Sequence, residues 1–174
     1  PEILEVRGEV YMTNSDLAFV NEQQQVRGEA VFANTRNCAA GTVRLLDPRV
    51  ASQRRLRFFG HGTGYCRGLQ AESHRDFLAE IAAHGIPATP LADCFPSFDA
   101  AVRHCEQMIE RVGELDFEID GLVLKVNRFE QRERLGARSK SPRWVIAYKF
   151  EKYEAVTRLN RINVQVGKTG AITP

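Results

Sequence analysis

The sequence predicts an α+β domain in which antiparallel sheets are flanked by helices. Two observations carry that expectation. Segments near residues 4–12, 57–65, 118–127 and 144–150 read as strands, several of them alternating one apolar face with one that bears charge. Between them lie stretches of helical spacing, opened by Asn or Ser and closed by Gly or Pro. A charged outer face is ordinary for an antiparallel sheet.

The first strand, LEVRGEVYM, places Leu4, Val6, Gly8, Val10 and Met12 on one side and Glu5, Arg7, Glu9 and Tyr11 on the other. Asn14 or Ser15 is expected to cap a short helix carrying Leu17 and Val20, followed by the polar stretch NEQQQVRGE. In FANTRNCAAGTVRLLDP, Arg36, Ala40 and Arg44 recur every four residues, and Pro48 is expected to end the helix. Eight residues advance a helix by about 800°, so the two arginines stand roughly 80° apart, on one side. Ala39, Ala40 and Gly41 between them leave room for a backbone or a ligand. The same spacing also suits a surface helix end with solvated arginines.

RFFGHGTGY reads as a glycine-rich strand or turn. It lacks the G-K-[ST] and the following helix of a phosphate loop. Ser73 and Asp76 form a capping-box-like start to a helix through Ala83, ended by Gly85 and Pro87. Ser97 starts the next helix, with Ala101, Cys105, Met108, Ile109 and Val112 inward and Gly113 as its stop. FEQRERLG is a short helix, ARSKSP a basic loop, and WVIAYKF a strand with Val145, Ala147 and Lys149 on one face. The tail alternates weakly around a G-x-x-G turn.

Composition sets outer bounds. The 174 residues, 43% hydrophobic and 26% charged, suit a globular domain with a real core or part of a larger one. No apolar run is long enough to cross a membrane. The start at Pro1, without a methionine or signal peptide, is expected of an excised piece. A net charge of +2 does not by itself announce a nucleic-acid binder. Nineteen arginines against five lysines suit bidentate phosphate contact, although a GC-rich genome produces the same bias. Cys38, Cys66, Cys94 and Cys105 form no C-x-x-C pair, and the four histidines show no metal-ligand spacing with them. Reduced cysteines in an intracellular protein and no metal site in this span are therefore expected.

The strand EIDGLVLKVN raises the question of function. Its faces carry Gly121, Val123 and Lys125 on one side and Asp120, Leu122, Leu124 and Val126 on the other. A lysine beside a bare glycine and a valine faces either water or a ligand with a flat apolar part and a negative part. Lys125 and Lys149, each isolated on a largely apolar strand, suit neutralisation of a phosphate. Glu9 suits ribose hydroxyls, and Gly121 and Val123 leave room and an apolar contact for a base.

LEVRGEVYM, FANTRNCAAGTVRLLDP, FEIDGLVLKVN and SPRWVIAYKF, in this order, resemble the adenylation domain of bacterial NAD-dependent DNA ligases. VQVGKTGAITP is similar to the start of the OB-fold that follows in those enzymes. The resemblance implies a nucleotidyltransferase fold, ATP-grasp-like, with residues 1–155 a partial adenylation domain and 156–174 the start of an OB-fold. In that family a lysine attacks the α-phosphate of NAD, forming lysyl-AMP and releasing nicotinamide mononucleotide. The AMP passes to the 5′-phosphate of a nick, and the 3′-hydroxyl displaces it. NAD is thus consumed as AMP donor, with Mg2+ as the ion, and zinc is expected only in a C-terminal part beyond this segment. Nicked double-stranded DNA and NAD or AMP are the implied partners of a monomer that does not enter membranes. Its implied place is the bacterial cytoplasm, associated with the nucleoid.

Carried over by motif, Glu9 binds the AMP ribose, and Lys125 and Lys149 contact phosphate or base and stabilise the pentavalent transition state. Asp120, Gly121 and Val123 belong to the same nucleotide-binding motif, and Arg36 and Arg44 handle nucleotide or nick phosphates.

The sequence also departs from the pattern. No lysine is followed by x-D-G, so the family's nucleophile is missing and the segment is expected to be inactive alone. Thr35 stands where proline is usual, Lys168 replaces an arginine, and Val112 rather than Arg111 falls in register with a further family arginine. Two alternatives stand beside this reading: an ATP-dependent nucleotidyltransferase relative, and a degenerate, non-catalytic ligase-like module that binds DNA through Arg36, Arg44 and the ARSKSPR loop.

Overall fold

The first strand, β1 (Ile3–Tyr11), pairs antiparallel with β2 (Arg57–Arg67), opposing Gly8 to Gly60 and Glu9 to Phe59. The computed structural model describes residues 1–139, 141–149 and 156–173. Between the two strands come α1 (Asn14–Val26), α2 (Thr35–Val43) and α3 (Pro48–Ser52). After them come α4 (His74–Ala83), α5 (Phe98–Glu110) and a 3-10 turn at Val112–Glu114. A second ribbon follows, β3 (Gly121–Lys125) with β4 (Val145–Lys149), the two joined through α6 (Phe129–Leu135). A third, small hairpin pairs β5 (Gln165–Val166) with β6 (Ile172–Thr173). This is the α+β, antiparallel architecture expected. Lys140, Phe150 and the 155/156 domain boundary lie outside the described residues or at their edge.

Strict alternation in β1 does not survive. The register shifts between Leu4 and Val6 and again between Arg7 and Gly8, which turns the strand partway along. Leu4 and Val6 still pack on the α4 core of Phe77, Leu78 and Ile81. Val10, beyond the second shift, is 44% exposed, while Met12 is buried in a different core with Val20, Cys38 and Ala39. The close crossing demands glycine. A methyl at Gly60 would sit 2.7 Å from Val6 and 2.8 Å from the Ile81 side chain, so α4 could not approach the ribbon.

The helix starts correct several expectations. Thr13, not Asn14 or Ser15, caps α1, because its hydroxyl accepts from the Asp16 amide at 3.1 Å and donates to the Asp16 carboxylate at 2.8 Å. Ser15 instead donates to Asp116 through both its amide and its hydroxyl, at 3.0 and 2.8 Å. The helix runs on through the polar stretch to Val26, since Gln24 is buried and donates to the Ala30 carbonyl. Pro48 does not end a helix but opens α3, where its fixed φ and missing N–H cost nothing. Gly113 is not the stop of α5: the helix closes at Arg111 and tightens into the 3-10 turn, leaving Val112 beyond it. Ser73 caps α4 as expected, and Gly85 takes φ +78° after it.

All four cysteines are unpaired. Among the described residues no helix is long and apolar enough to cross a membrane.

Candidate functional site

The register of the second ribbon decides which side chains meet. Gly121 opposes Lys149, Val123 opposes Ala147 and Lys125 opposes Val145. Opposed residues of an antiparallel pair share a face. Two separately read faces, that of Lys125 and that of Lys149, are therefore one surface, with Gly121 across from Lys149 and the Val123–Ala147 pair between the lysines.

That surface borders a cleft of about 1640 Å³. Glu9 reaches it from β1, Arg36 and Arg44 from α2, and Asp120, Gly121, Val123 and Lys125 from β3 and its approach. Arg44 is the C-cap of α2 and Arg36 lies in its first turn, so the cleft wall spans the helix end to end. Lys149 shares the sheet face but lies beyond the lining residues, its ammonium 3.8 Å from the Asp120 carboxylate. The apolar side of α5, with Ala101, Cys105 and Met108, closes another part of the wall.

Gly121 answers first to its neighbour strand. A methyl there would stand 2.8 Å from the Tyr148 carbonyl oxygen and 3.2 Å from the Lys149 Cα, so glycine lets β4 approach. Val123 is 59% exposed, an apolar surface turned to the cleft.

Lys125 is held tightly. Its ammonium donates to the His61 carbonyl at 2.7 Å, tying β3 to β2 across the gap between the ribbons. Burial, and then the nearby Arg132 charge, lower its pKa to about 8. His74, behind it on α4, is pushed to about 4 by burial and by Lys125, Arg132 and His61 in turn. His74 is therefore neutral near pH 7. This corner is rich in positive charge, and among the described residues no carboxylate lies within ion-pair distance of Lys125. Such a site suits an anion.

Sequence reading missed His61, His74, Arg132 and Trp144. Arg132 lies over the Phe129 ring, an i,i+3 pair that helical spacing makes visible. Its second aromatic partner, Trp144, is twelve positions on and comes near only through the fold.

Among the described residues no group of three or more His, Cys, Asp or Glu is placed to hold a metal ion.

Taken together, the geometry defines a class: an α+β domain with cations and carboxylates converging on a partly apolar cleft. Residues 1–153 match the model of the NAD-dependent DNA ligase adenylation domain, and the chain belongs to that family. Over its whole length it is 55% identical to a DNA ligase of Rhodopirellula baltica, 45% to one of Beijerinckia indica and 46% to one of Roseiflexus castenholzii. It spans about a quarter of the length of these curated relatives.

Proposed function

We propose that the cleft is the adenylate site of an NAD-dependent DNA ligase that seals nicks through lysyl-AMP and DNA-adenylate. The observation that carries this is the shared sheet face, which puts Lys125 and Lys149 on one surface with Gly121 and Val123. On this reading residues 1–155 are part of a nucleotidyltransferase domain and 156–174 begin an OB-fold. NAD is the AMP donor, nicked duplex DNA the acceptor, and the enzyme works as a cytoplasmic monomer.

Each residue has a task that follows from its chemistry. Val123 gives the adenine an apolar bed, and Glu9 accepts hydrogen bonds from ribose hydroxyls. Lys125 and Lys149 neutralise charge as it builds on the α-phosphate in the pentavalent transition state. Asp120, near Lys149, keeps that ammonium at the cleft mouth until phosphate displaces it. Arg36 and Arg44, on one helix wall, take nucleotide or nick phosphates with their planar forks. The attacking lysine is not among these residues, because no K-x-D-G occurs in the sequence. It must come from elsewhere in the longer ligase.

The test uses the full-length ligase that carries this segment, incubated with magnesium and either NAD or ATP, with the intact mass recorded. An AMP adduct with NAD alone is expected. An adduct with ATP alone moves the protein to the ATP-using relatives, and none with either leaves a DNA-binding role.

A further inference from the structure

Arg132 is a misfit by ordinary stability rules. Its guanidinium carbon lies 5.0 Å from the Phe129 ring centre and 4.3 Å from that of Trp144. Its Nε donates to the Val126 carbonyl at 2.6 Å, yet its Nη2 is buried with no hydrogen-bond partner among the described residues. Burial lowers its proton affinity as well. A half-buried cation with one orphaned donor costs stability, and an apolar side chain of that length would lie against the two rings at less cost. The charge therefore calls for another reason.

Its surroundings supply one. Val126 follows Lys125 directly, and the Val126 amide donates to the Trp144 carbonyl at 2.9 Å. Arg132 thus grips Val126 by its carbonyl while its ring partner Trp144 grips the same residue by its amide. The end of β3 and the start of β4 are fastened at one point. The charged or titratable groups around Lys125 are Arg132 from α6, His74 from α4 and His61 from β2. With His74 neutral near pH 7, Arg132 is the permanent charge in this set.

We propose that Arg132 is a positioning residue for Lys125: packed on Phe129 and Trp144 and fastened to Val126, it fixes the end of β3 and sets a permanent positive charge beside the lysine. The inference rests on the adenylate-site reading of the cleft. Two cations, one fixed and one presented, raise the potential at the place where the α-phosphate gathers negative charge. The arrangement is built before the ligand arrives, so none of its reorganisation falls within the reaction. Burial is the larger cause of the lowered proton affinity of Lys125, and the Coulomb repulsion from Arg132 adds to it.

The experiment compares Arg132→Met, Arg132→Gln and Arg132→Lys in the full-length ligase, reading the pH profile of kcat/KM for lysyl-AMP formation from NAD. Lys125 titration is read separately, from the pH dependence of its acylation mapped by mass spectrometry. Met keeps an unbranched apolar stem against the two rings, which guards against a variant that merely fails to fold. The expected result is a loss of about tenfold for Met and Gln, smaller than the loss of a donor that touches the reacting atoms. Both variants also move the alkaline limb and the Lys125 titration to higher pH, and Lys restores them. A uniform loss at all pH values with Lys125 titrating as before overturns the proposal and leaves Arg132 a strut. Normal adenylation by Lys125→Ala overturns instead the adenylate-site reading beneath it.

Discussion

The Lys125 ammonium and the His61 carbonyl, 2.7 Å apart, join two ribbons that are otherwise separate sheets. One side chain thereby connects β3 to β2 and stands at the wall of the cleft. Its placement ties the stability of the domain to its pH.

The sign follows from the lowered pKa. Between about 8 and 10.5 the unfolded chain holds more protons at Lys125 than the folded one, so its contribution makes stability rise with pH across that window. Below about 8 both states are protonated and the burial penalty stands in full. Urea unfolding near pH 7 and near pH 9.5, followed through the single Trp144, should show the rise in the wild type and its loss in Lys125→Met. Equal pH dependence in both proteins counts against the assignment.

Asp16 behaves in the opposite sense. Burial raises its pKa, but hydrogen bonds from Thr13 and Arg57 and the charges of Arg57 and Arg55 outweigh that and hold it below the usual range. Its stabilising contribution is present above the unfolded pKa and is lost as pH falls through the folded one. Asp16→Asn is expected to cost about 2–3 kcal/mol at neutral pH, since it unpairs Arg57 at 2.9 Å and weakens the α1 cap. The variant should also lose part of the acid sensitivity seen in the wild-type midpoint.

At Gly121 the obstacle to a methyl is backbone, the Tyr148 carbonyl at 2.8 Å, which cannot swing aside. Gly121→Ala should part β3 from β4 at a cost of about 1–3 kcal/mol and separate Lys149 from Asp120. A midpoint within experimental error of wild type would mean that the ribbon absorbs the methyl.

Lys149 and Asp120 are both largely exposed, at 72% and 77%, and exposed pairs contribute little. Lys149→Ala is therefore expected to leave the unfolding midpoint unchanged while nearly abolishing adenylation. Glu9→Ala, on the exposed end of β1, should likewise keep its fold and weaken AMP binding. Isothermal titration with AMP reads the second effect directly, and unchanged affinity would falsify the ribose role.

Much of this was legible without coordinates. Strand faces such as Val145, Ala147 and Lys149 follow from a period of two, and the Ser73 and Ser97 caps from local hydrogen-bond chemistry. The Thr13 cap was missed because Asn14 and Ser15 are equally good caps by residue type. Asp16, buried against Arg57 from β2, made the choice. The bulges in β1 escaped notice because they depend on how Gly8 meets Gly60 and on α4 packing there.

The sequence by itself determined the order of the main strands and helices, the faces of β3 and β4 and the family, all of which rest on local periodicity and motif. Only the tertiary structure decided which faces meet. That Lys125 and Lys149 share one surface is a matter of register, and no local pattern sets a register between strands nineteen residues apart. That Arg132 lies over both Phe129 and Trp144, and that Lys125 reaches a carbonyl of β2, follow from packing. The desolvation that lowers Lys125 to about 8 belongs to the same level, because the proton affinity of a side chain is set by what surrounds it in space.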